Sequence, residues 1–254
     1  MAAFSGVWSR VSYGGRAIAR KARSGILGPL AGVALLAAAP VTAQDTAQDT
    51  ARNTAGDAAR TRILALGDSL TQGYGLAPED GLVPQLQAWL EARGHDVRII
   101  NGGVSGDTTA GGLARVEWSL SDDVDAMIVA LGGNDVLRGL DPAQTRANLD
   151  GILKAGAGRD LPMMLVGLPA AGNFGAVYKA EFEAIFPELA AKHDTLLVPS
   201  IFAGLGDPSD PTALRGLMQD DGIHPNAQGV TRIVKALGPE VEALILRAEA
   251  DPAG

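Results

Sequence analysis

The stretch Ile63-Leu64-Ala65-Leu66-Gly67-Asp68-Ser69 joins a short apolar run to a serine across a glycine and an aspartate. Four consecutive aliphatic residues are typical of a buried strand in a parallel sheet. Ser69 therefore follows the carboxyl end of a predicted strand, the edge at which open α/β sheets bind their ligands. By itself the Gly-Asp-Ser turn is a weak signal, because short loops of these residues often only reverse the chain.

The rest of the domain alternates apolar runs with helical patterns, which predicts a parallel sheet with helices on both faces. The fold class is therefore α/β, a three-layer α/β/α sandwich with a five-stranded parallel sheet. The predicted strands are Arg62–Leu66, Val97–Ile100, Ala126–Leu131, Met163–Leu168 and Thr195–Val198. In such a sheet every loop from a strand to a helix emerges at the same edge, so the residues that follow these strands are expected to meet.

Amphipathic stripes and end signals define the helices between the strands. Asp141-Pro142 predicts a helix start, and Gly94 predicts a helix end. The last helix is predicted to begin near Asn226 and to be interrupted at Gly238-Pro239. Three stripes are predicted to pack in the core: Leu82, Val83, Leu86, Trp89 and Leu90; Leu149, Ile152 and Leu153; Tyr178, Phe182, Ile185, Phe186 and Leu189.

The chain contains only three histidines, and their surroundings differ. His95 and His193 lie in polar turns, and we expect both to face solvent. His224 follows Asp221 by three residues in the Gly-containing turn Asp221-Gly222-Ile223-His224-Pro225, which a single turn can present together. Asp220 is the competing carboxylate, but Asp221 has the better local geometry. A serine hydroxyl needs an imidazole to take its proton, and a carboxylate holds that imidazole in the useful tautomer.

Two glycine-containing loops at the same edge offer hydrogen-bond donors. Residues 101–112 resemble a phosphate cradle but lack the lysine of a P-loop, and Asp107 would repel a phosphate. Backbone N–H groups for a developing oxyanion are the better functional interpretation, although the loop also serves as a turn into the next helix. Asn134, in Gly132-Gly133-Asn134-Asp135, is either a turn cap or an amide donor to the same oxyanion.

Four ordered blocks between Arg62 and Leu246 resemble those of the SGNH (GDSL) hydrolases, which have a flavodoxin-like fold. The blocks are Gly67-Asp68-Ser69-Leu70, Ser105-Gly106-Asp107-Thr108, Gly132-Gly133-Asn134-Asp135 and Asp221-Gly222-Ile223-His224-Pro225. Within that family the chain is most similar to the thioesterase I/lysophospholipase L1 type of periplasmic esterase.

The resemblance implies a role for each matching residue. Ser69 would be the nucleophile and His224 the base, oriented by Asp221, while the backbone N–H groups of Ser69 and Gly106 and the Asn134 amide would form the oxyanion hole. The segment from Leu168 to Gly175 resembles the family's mobile substrate-binding loop, with one extra small residue. Its candidate substrate-binding residues are Pro169, Asn173 and Phe174.

The N-terminal composition predicts export. Residues 1–43 contain five basic residues and no acidic one. Within them the basic residues precede an apolar run from Ile26 to Ala39, and small residues occupy the −3 and −1 positions of a cleavage site after Ala43. This pattern is typical of a signal peptide cleaved after Ala43, with a retained membrane anchor as the alternative. Residues 44–60 read as a flexible linker and 61–250 as the hydrolase domain, so the expected location is periplasmic or secreted.

Charge and composition restrict the partners. The chain has 21 basic and 29 acidic residues. Removing the five basic residues of the signal leaves 16 against 29, a net charge of −13, which disfavours nucleic acid. No cysteine is present, so a thiolate nucleophile is excluded. A metal site is not expected, since no metal-binding cluster is evident, and we predict no cofactor.

The predicted function is that of a serine esterase acting on a small-molecule ester or lipid, with no stable membrane span once the signal is removed. Short-to-medium acyl or aryl esters are the expected substrates, with lysophospholipids and acyl thioesters as further candidates. The alternatives are a carbohydrate acetylesterase and a catalytically silent binding domain on the same scaffold. The sequence makes no prediction of the oligomeric state.

Overall fold

Five parallel strands form one sheet in the order β2-β1-β3-β4-β5. The computed structural model describes residues 60–170, 172–206 and 214–250. The strands are β1 (Thr61–Gly67), β2 (Val97–Gly103), β3 (Ala126–Ala130), β4 (Met163–Val166) and β5 (Leu196–Val198). The predicted strands agree with these to within two residues at each end, except that β2 extends three residues further. The register pairs Leu66 of β1 with Val129 of β3, so the sheet's carboxyl edge brings the following loops together.

Helices connect the strands and cover both faces of the sheet. They are α1 (Ser69–Gln72), α2 (Leu82–Glu91), α3 (Thr109–Ser119), α4 (Gly133–Leu137), α5 (Pro142–Ala157), α6 (Ala176–His193) and α7 (Ala227–Ala250). Short 3₁₀ turns lie at Pro78–Asp80, Gly172–Phe174 and Ala203–Leu205. As predicted, Asp141-Pro142 starts α5: the Asp141 side chain caps the helix by accepting a hydrogen bond from the Ala143 N–H, and Pro142 occupies the first helical position.

Two apolar clusters, one on each side of the sheet, form the core. Alternate strand residues point to opposite faces, so Ile63 and Ile128 pack with α2 and α7 on one side, and Leu64 and Met127 pack with α3, α5 and α6 on the other. The predicted stripes of α2, α5 and α6 are buried apart from Trp89 and Tyr178, which are partly buried. This arrangement confirms the three-layer α/β/α sandwich with its five-stranded parallel sheet.

The last helix corrects one prediction, because α7 continues through Gly238-Pro239 without interruption. Proline removes one backbone hydrogen bond, but packing on either side compensates for that loss. A side chain at Gly238 would meet the Trp89 ring, 2.5 Å from an added Cβ. Val241 and Leu244, in the next turn, are fully buried. Gly238 therefore permits a close helix contact with α2.

The expectation that His95 and His193 face solvent is wrong. The His193 side chain is only 9% exposed, and its Nε2 lies 2.7 Å from Asp150 Oδ1 across the contact between α5 and α6. Hydrogen bonds from Lys154, Lys192 and His193 hold the pKa of Asp150 well below its usual range. His95 Nε2 lies 3.1 Å from Glu242 Oε1. Both imidazoles hydrogen-bond to carboxylates that are distant in sequence. The polar residues next to each histidine gave no indication of these partners.

The predicted signal peptide and most of the predicted linker lie outside the described residues. Across residues 60–170, 172–206 and 214–250, no helix combines the length and the apolar character needed to span a membrane.

Candidate active site

Ser69 occupies a tight junction between β1 and α1. The strand ends at Gly67 and the helix begins at Ser69, with Asp68 as its N-cap accepting a hydrogen bond of 3.1 Å from the Leu70 N–H. A Cβ at Gly67 would lie 1.9 Å from Thr71 Oγ1, so only glycine fits this close approach. The junction places Ser69 at the carboxyl end of β1, an interior strand of the sheet.

Ser69, His224 and Asp221 form a continuous chain of hydrogen bonds. Ser69 Oγ lies 2.8 Å from His224 Nε2, although the two residues are 155 positions apart. His224 Nδ1 lies 2.6 Å from Asp221 Oδ2. This order of hydroxyl, imidazole and carboxylate is the arrangement that activates a serine for nucleophilic attack.

The turn that carries Asp221 and His224 also sets the carboxylate's ionisation. Asp221 Oδ1 accepts hydrogen bonds from the backbone N–H groups of Ile223 (2.9 Å) and His224 (3.0 Å). The His224 backbone donor, followed by the His224 side chain and the Ile223 donor, lowers the pKa of Asp221 to about 2. The Asp221 carboxylate is therefore ionised across the neutral pH range, where it can stabilise an imidazolium at His224.

Gly106 and Asn134 lie beside each other at the same edge. Asn134 Nδ2 donates a 2.9 Å hydrogen bond to the carbonyl of Asp107, next to Gly106, which has a φ of +84°. This bond fixes the Asn134 amide and uses one of its two hydrogens. Within the described part of the chain, the backbone N–H groups of Ser69 and Gly106 donate to no acceptor. These two N–H groups and the second Asn134 hydrogen are therefore not used by acceptors in that part of the chain.

Two arginines that the sequence analysis missed hold the Gly106 loop. Arg115 Nε donates to Asp107 Oδ2 at 2.7 Å, and its Nη2 donates to the Gly67 carbonyl at 2.9 Å. Arg138 Nη2 donates to the Gly106 carbonyl at 2.9 Å. Arg115 therefore ties the loop to the end of β1, two residues before Ser69. No local sequence signal marks these arginines, since their partners come from other elements.

Asp135, the residue after Asn134, is buried and fixes the start of α3. Its carboxylate accepts hydrogen bonds from the Thr109 N–H (2.8 Å), the Thr109 hydroxyl (2.5 Å) and the Thr145 hydroxyl (3.2 Å). The loop of Gly106 leads directly into α3, and Asn134 precedes Asp135. The Asp135 carboxylate thus holds together the segments that carry Gly106 and Asn134, two of the candidate oxyanion donors. The sequence analysis did not assign a role to Asp135. Its position at the end of the Gly-Gly-Asn-Asp block was the one sequence feature that could have indicated this role.

The loop after β4 places an aromatic ring over a glycine. Phe174 is 43% exposed, and its ring lies against Gly139, where an added Cβ would be 2.6 Å from Phe174 Cε1. Pro169 is half-buried and Asn173 is exposed. The loop is anchored to α6, because Lys179 Nζ donates to the Ala170 carbonyl (2.8 Å) and the Ala170 N–H donates to Glu183 Oε1 (3.0 Å). Ala171 lies outside the described residues.

Asp68 is the unusual titratable group of the site. It directly precedes Ser69, is almost fully buried, and lines a small, mainly apolar cavity together with Gly133 and Leu168. Burial raises the pKa of Asp68 to about 6, against the lowering effects of the Leu70 N–H and of His224. The folded protein therefore disfavours the ionised form of this carboxyl.

This burial predicts a pH-dependent stability. The pKa of Asp68 in the folded protein, about 6, lies above its ordinary value of 3.8. Its protonated form therefore contributes stability that is fully present below pH 3.8 and is lost as pH rises through 6. We expect Asp68→Asn, which keeps the acceptor for Leu70, to be more stable than the parent at pH 8, by up to about 3 kcal/mol. The advantage should vanish near pH 4. Urea unfolding at both pH values tests this, and an equal difference at both would contradict it.

Comparison with known proteins places the chain among ester hydrolases. The model of the GDSL-like Lipase/Acylhydrolase family matches residues 65–232. The chain is 36% identical over 189 residues to Esterase TesA of Pseudomonas aeruginosa, covering 74% of this chain and 91% of that protein. It is 34% identical over 191 residues to Thioesterase 1/protease 1/lysophospholipase L1 of Escherichia coli K12, covering 74% and 86%. The crystal structure of AlinE4, an SGNH-hydrolase family esterase, aligns with a TM-score of 0.59 at 44% identity, covering 72% and 96%.

Proposed function

Because the chain belongs to the GDSL-like lipase/acylhydrolase family, we propose that Ser69, His224 and Asp221 are its catalytic triad and that hydrolysis passes through an acyl-enzyme. The chain is a carboxylic ester hydrolase, as its relatives among the esterases indicate. The observation that carries the triad is the hydrogen-bond chain from Ser69 Oγ to His224 (2.8 Å) and from His224 to Asp221 (2.6 Å).

In the proposed acylation step, Ser69 Oγ attacks the ester carbonyl carbon while His224 Nε2 takes the hydroxyl proton. The carbonyl oxygen becomes an oxyanion, which accepts hydrogen bonds from the Ser69 and Gly106 N–H groups and the second amide hydrogen of Asn134. Asp221 stabilises the imidazolium. When the tetrahedral intermediate collapses, the bond from carbon to the leaving oxygen breaks, and His224 gives its proton to the departing alcohol.

Deacylation repeats these roles with water as the nucleophile. His224 Nε2 takes a proton from water as the water oxygen attacks the acyl carbon, and the same donors hold the second oxyanion. The bond from the acyl carbon to Ser69 Oγ then breaks, and His224 returns the proton to the serine. The carboxylic acid leaves and the free enzyme is restored.

Short-to-medium acyl and aryl esters are the proposed substrates, with lysophospholipids and acyl thioesters as further ones. Apolar side chains support this class: Phe174 over Gly139 and Tyr74 beside His224 are partly exposed near the site. Sugar recognition usually relies on aromatic platforms and dense polar contacts. Among the described residues few aromatics lie at this edge, which favours an acyl esterase over a carbohydrate acetylesterase.

A fluorophosphonate probe and a substrate panel test the proposed function. The probe should label Ser69 covalently, and mass spectrometry of the labelled peptide identifies the residue. The panel should include aryl acetates, butyrates and octanoates, a lysophospholipid, an acyl-CoA and an acetylated sugar. Absence of labelling together with absence of turnover would indicate a silent binding domain. Release of acetate from the sugar alone would indicate a carbohydrate acetylesterase.

Phe174→Ala should reduce activity on long acyl chains more than on acetate. Each methylene that the ring covers is worth about 0.8 kcal/mol, or roughly fourfold in kcat/KM. The measurement is the ratio of kcat/KM for octanoyl and acetyl esters of one alcohol. Leu246→Ala, which truncates an exposed residue of α7, is the matched control and should leave the ratio unchanged. Equal losses on both esters in Phe174→Ala would remove this residue from the acyl pocket.

We also propose that residues 1–43 direct export and are removed. The five basic residues, the apolar run and the small residues before Ala43 support this. When the full chain is expressed in a Gram-negative host, the periplasmic protein should begin at Gln44. Intact-mass measurement checks this, and a membrane-bound product that retains residue 1 would instead support an anchor.

A further inference from the structure

The segments that carry Ser69 and His224 are joined by a side chain that the catalytic chemistry does not use. Gln219 is half-buried, two residues before Asp221. Its Nε2 donates to the carbonyl of Tyr74 at 2.9 Å and to the carbonyl of Pro225 at 3.0 Å. Both amide hydrogens are thus used, one on each catalytic segment.

The Tyr74 end of this link leads directly to the nucleophile. The Tyr74 N–H donates to the carbonyl of Ser69 at 3.0 Å, so hydrogen bonds run from the Ser69 backbone through Tyr74 to Gln219 and on to Pro225, next to His224. The Tyr74 ring also packs on the His224 ring, with centroids 4.9 Å apart. Between residues 67–76, which carry Ser69, and residues 217–226, which carry His224, the other hydrogen bond is that of Ser69 Oγ with His224 Nε2.

The local backbone is shaped to hold the Gln219 side chain in place. Gly75 has a φ of +75°, and an added Cβ there would lie 2.2 Å from Gln219 Oε1, so the amide occupies space that a side chain would fill. The Gln219 N–H donates to the carbonyl of His224 at 2.7 Å, and the Gly222 N–H donates to the carbonyl of Gln219 at 3.0 Å. The Gln219 side chain therefore extends from a turn that its own backbone hydrogen bonds hold in place.

We propose that Gln219 is a positioning residue that sets the spacing between Ser69 and His224. Asp221 and His224 share one turn and stay paired without help from outside it. Ser69 lies on a different element, so the distance from its Oγ to the imidazole depends on contacts between the two segments. The Gln219 amide supplies those contacts through backbone carbonyls, where neither partner reacts with substrate.

This inference rests on the proposed triad, and the test separates the two. Gln219→Met keeps the length of the side chain but removes both donors. Displacing a catalytic group by about 1 Å costs on the order of 10²-fold. We therefore expect the second-order rate of fluorophosphonate inactivation, and kcat on an aryl ester, to fall roughly 10–100-fold with little change in KM. Gln144→Met is the matched control, an exposed glutamine on α5, and should retain the parent rate.

A proton resonance distinguishes positioning from a general structural role. The downfield NMR signal of the His224 Nδ1–H, shared with Asp221, should persist in Gln219→Met, because that pair lies within the turn. Gly75→Ala, which displaces the Gln219 amide without altering Gln219, should lower the inactivation rate in the same direction.

Several results would overturn the inference. An inactivation rate for Gln219→Met within about twofold of the parent would do so, because a 1 Å displacement costs far more. Loss of the Nδ1–H signal together with activity would mean that Gln219 only maintains the turn. Failure of the parent protein itself to label at Ser69 would instead refute the proposed triad.

Discussion

Ser69→Ala is expected to lower kcat for ester hydrolysis by on the order of 10⁶-fold, the loss seen when a triad serine is removed. The hydroxyl is the only atom that can form the acyl-enzyme in the proposed mechanism, and alanine leaves His224 without a proton to accept. The fold should be unaffected, because among the described residues the Ser69 hydroxyl makes a hydrogen bond only with His224. Steady-state kinetics with an aryl ester, together with urea unfolding, measure both quantities.

Ser105→Ala is the matched control for this prediction. Ser105 lies at the same edge of the sheet and is exposed, and its backbone N–H, which the substitution keeps, donates to Gln72 Oε1 at 2.9 Å. Its activity and its labelling by the fluorophosphonate probe should match those of the parent. Recovery of the labelled peptide with Ser105 modified, and Ser69 free, would overturn the assignment of the nucleophile.

Much of this site was predictable because parallel topology collects the ends of strands at one edge. The alternating pattern placed Ser69, Gly106 and Asn134 after successive strands, and the sheet order β2-β1-β3 brings them together. The spacing of Asp221 and His224 predicted their pairing, since a single turn carries both. The fold class followed from the same alternation, and the structure confirms it.

The missed features depend on contacts between distant elements. Arg115, Arg138 and Gln219 act through partners on other strands, helices and turns, so no local period or motif marks them. The prediction of an interruption at Gly238-Pro239 failed for a related reason. Local propensity favoured a break there, but burial of Val241 and the close contact with Trp89 stabilise a continuous helix.

The second large effect is expected at Asn134. Asn134→Ala should lower kcat by about 10²–10³, the usual loss for one oxyanion donor, with little change in KM. The reason lies in the hydrogen bonds of the amide. One hydrogen is held by the Asp107 carbonyl at 2.9 Å, and in the proposed mechanism the second is donated to the oxyanion. A donor fixed in this way gains strength only as negative charge develops on the substrate. Single-turnover and steady-state kinetics on an aryl ester measure the effects on kcat and on KM separately.

Asn134→Asp sharpens the test, because it keeps the size of the side chain while replacing the donor with an acceptor. An ionised carboxylate at this position would repel the oxyanion as well as the Asp107 carbonyl, so its loss of kcat should be at least as large as that of Asn134→Ala. If both variants instead raise KM and leave kcat near the parent value, Asn134 binds the substrate equally in the ground and transition states. The backbone N–H groups of Ser69 and Gly106 would then form the oxyanion hole alone.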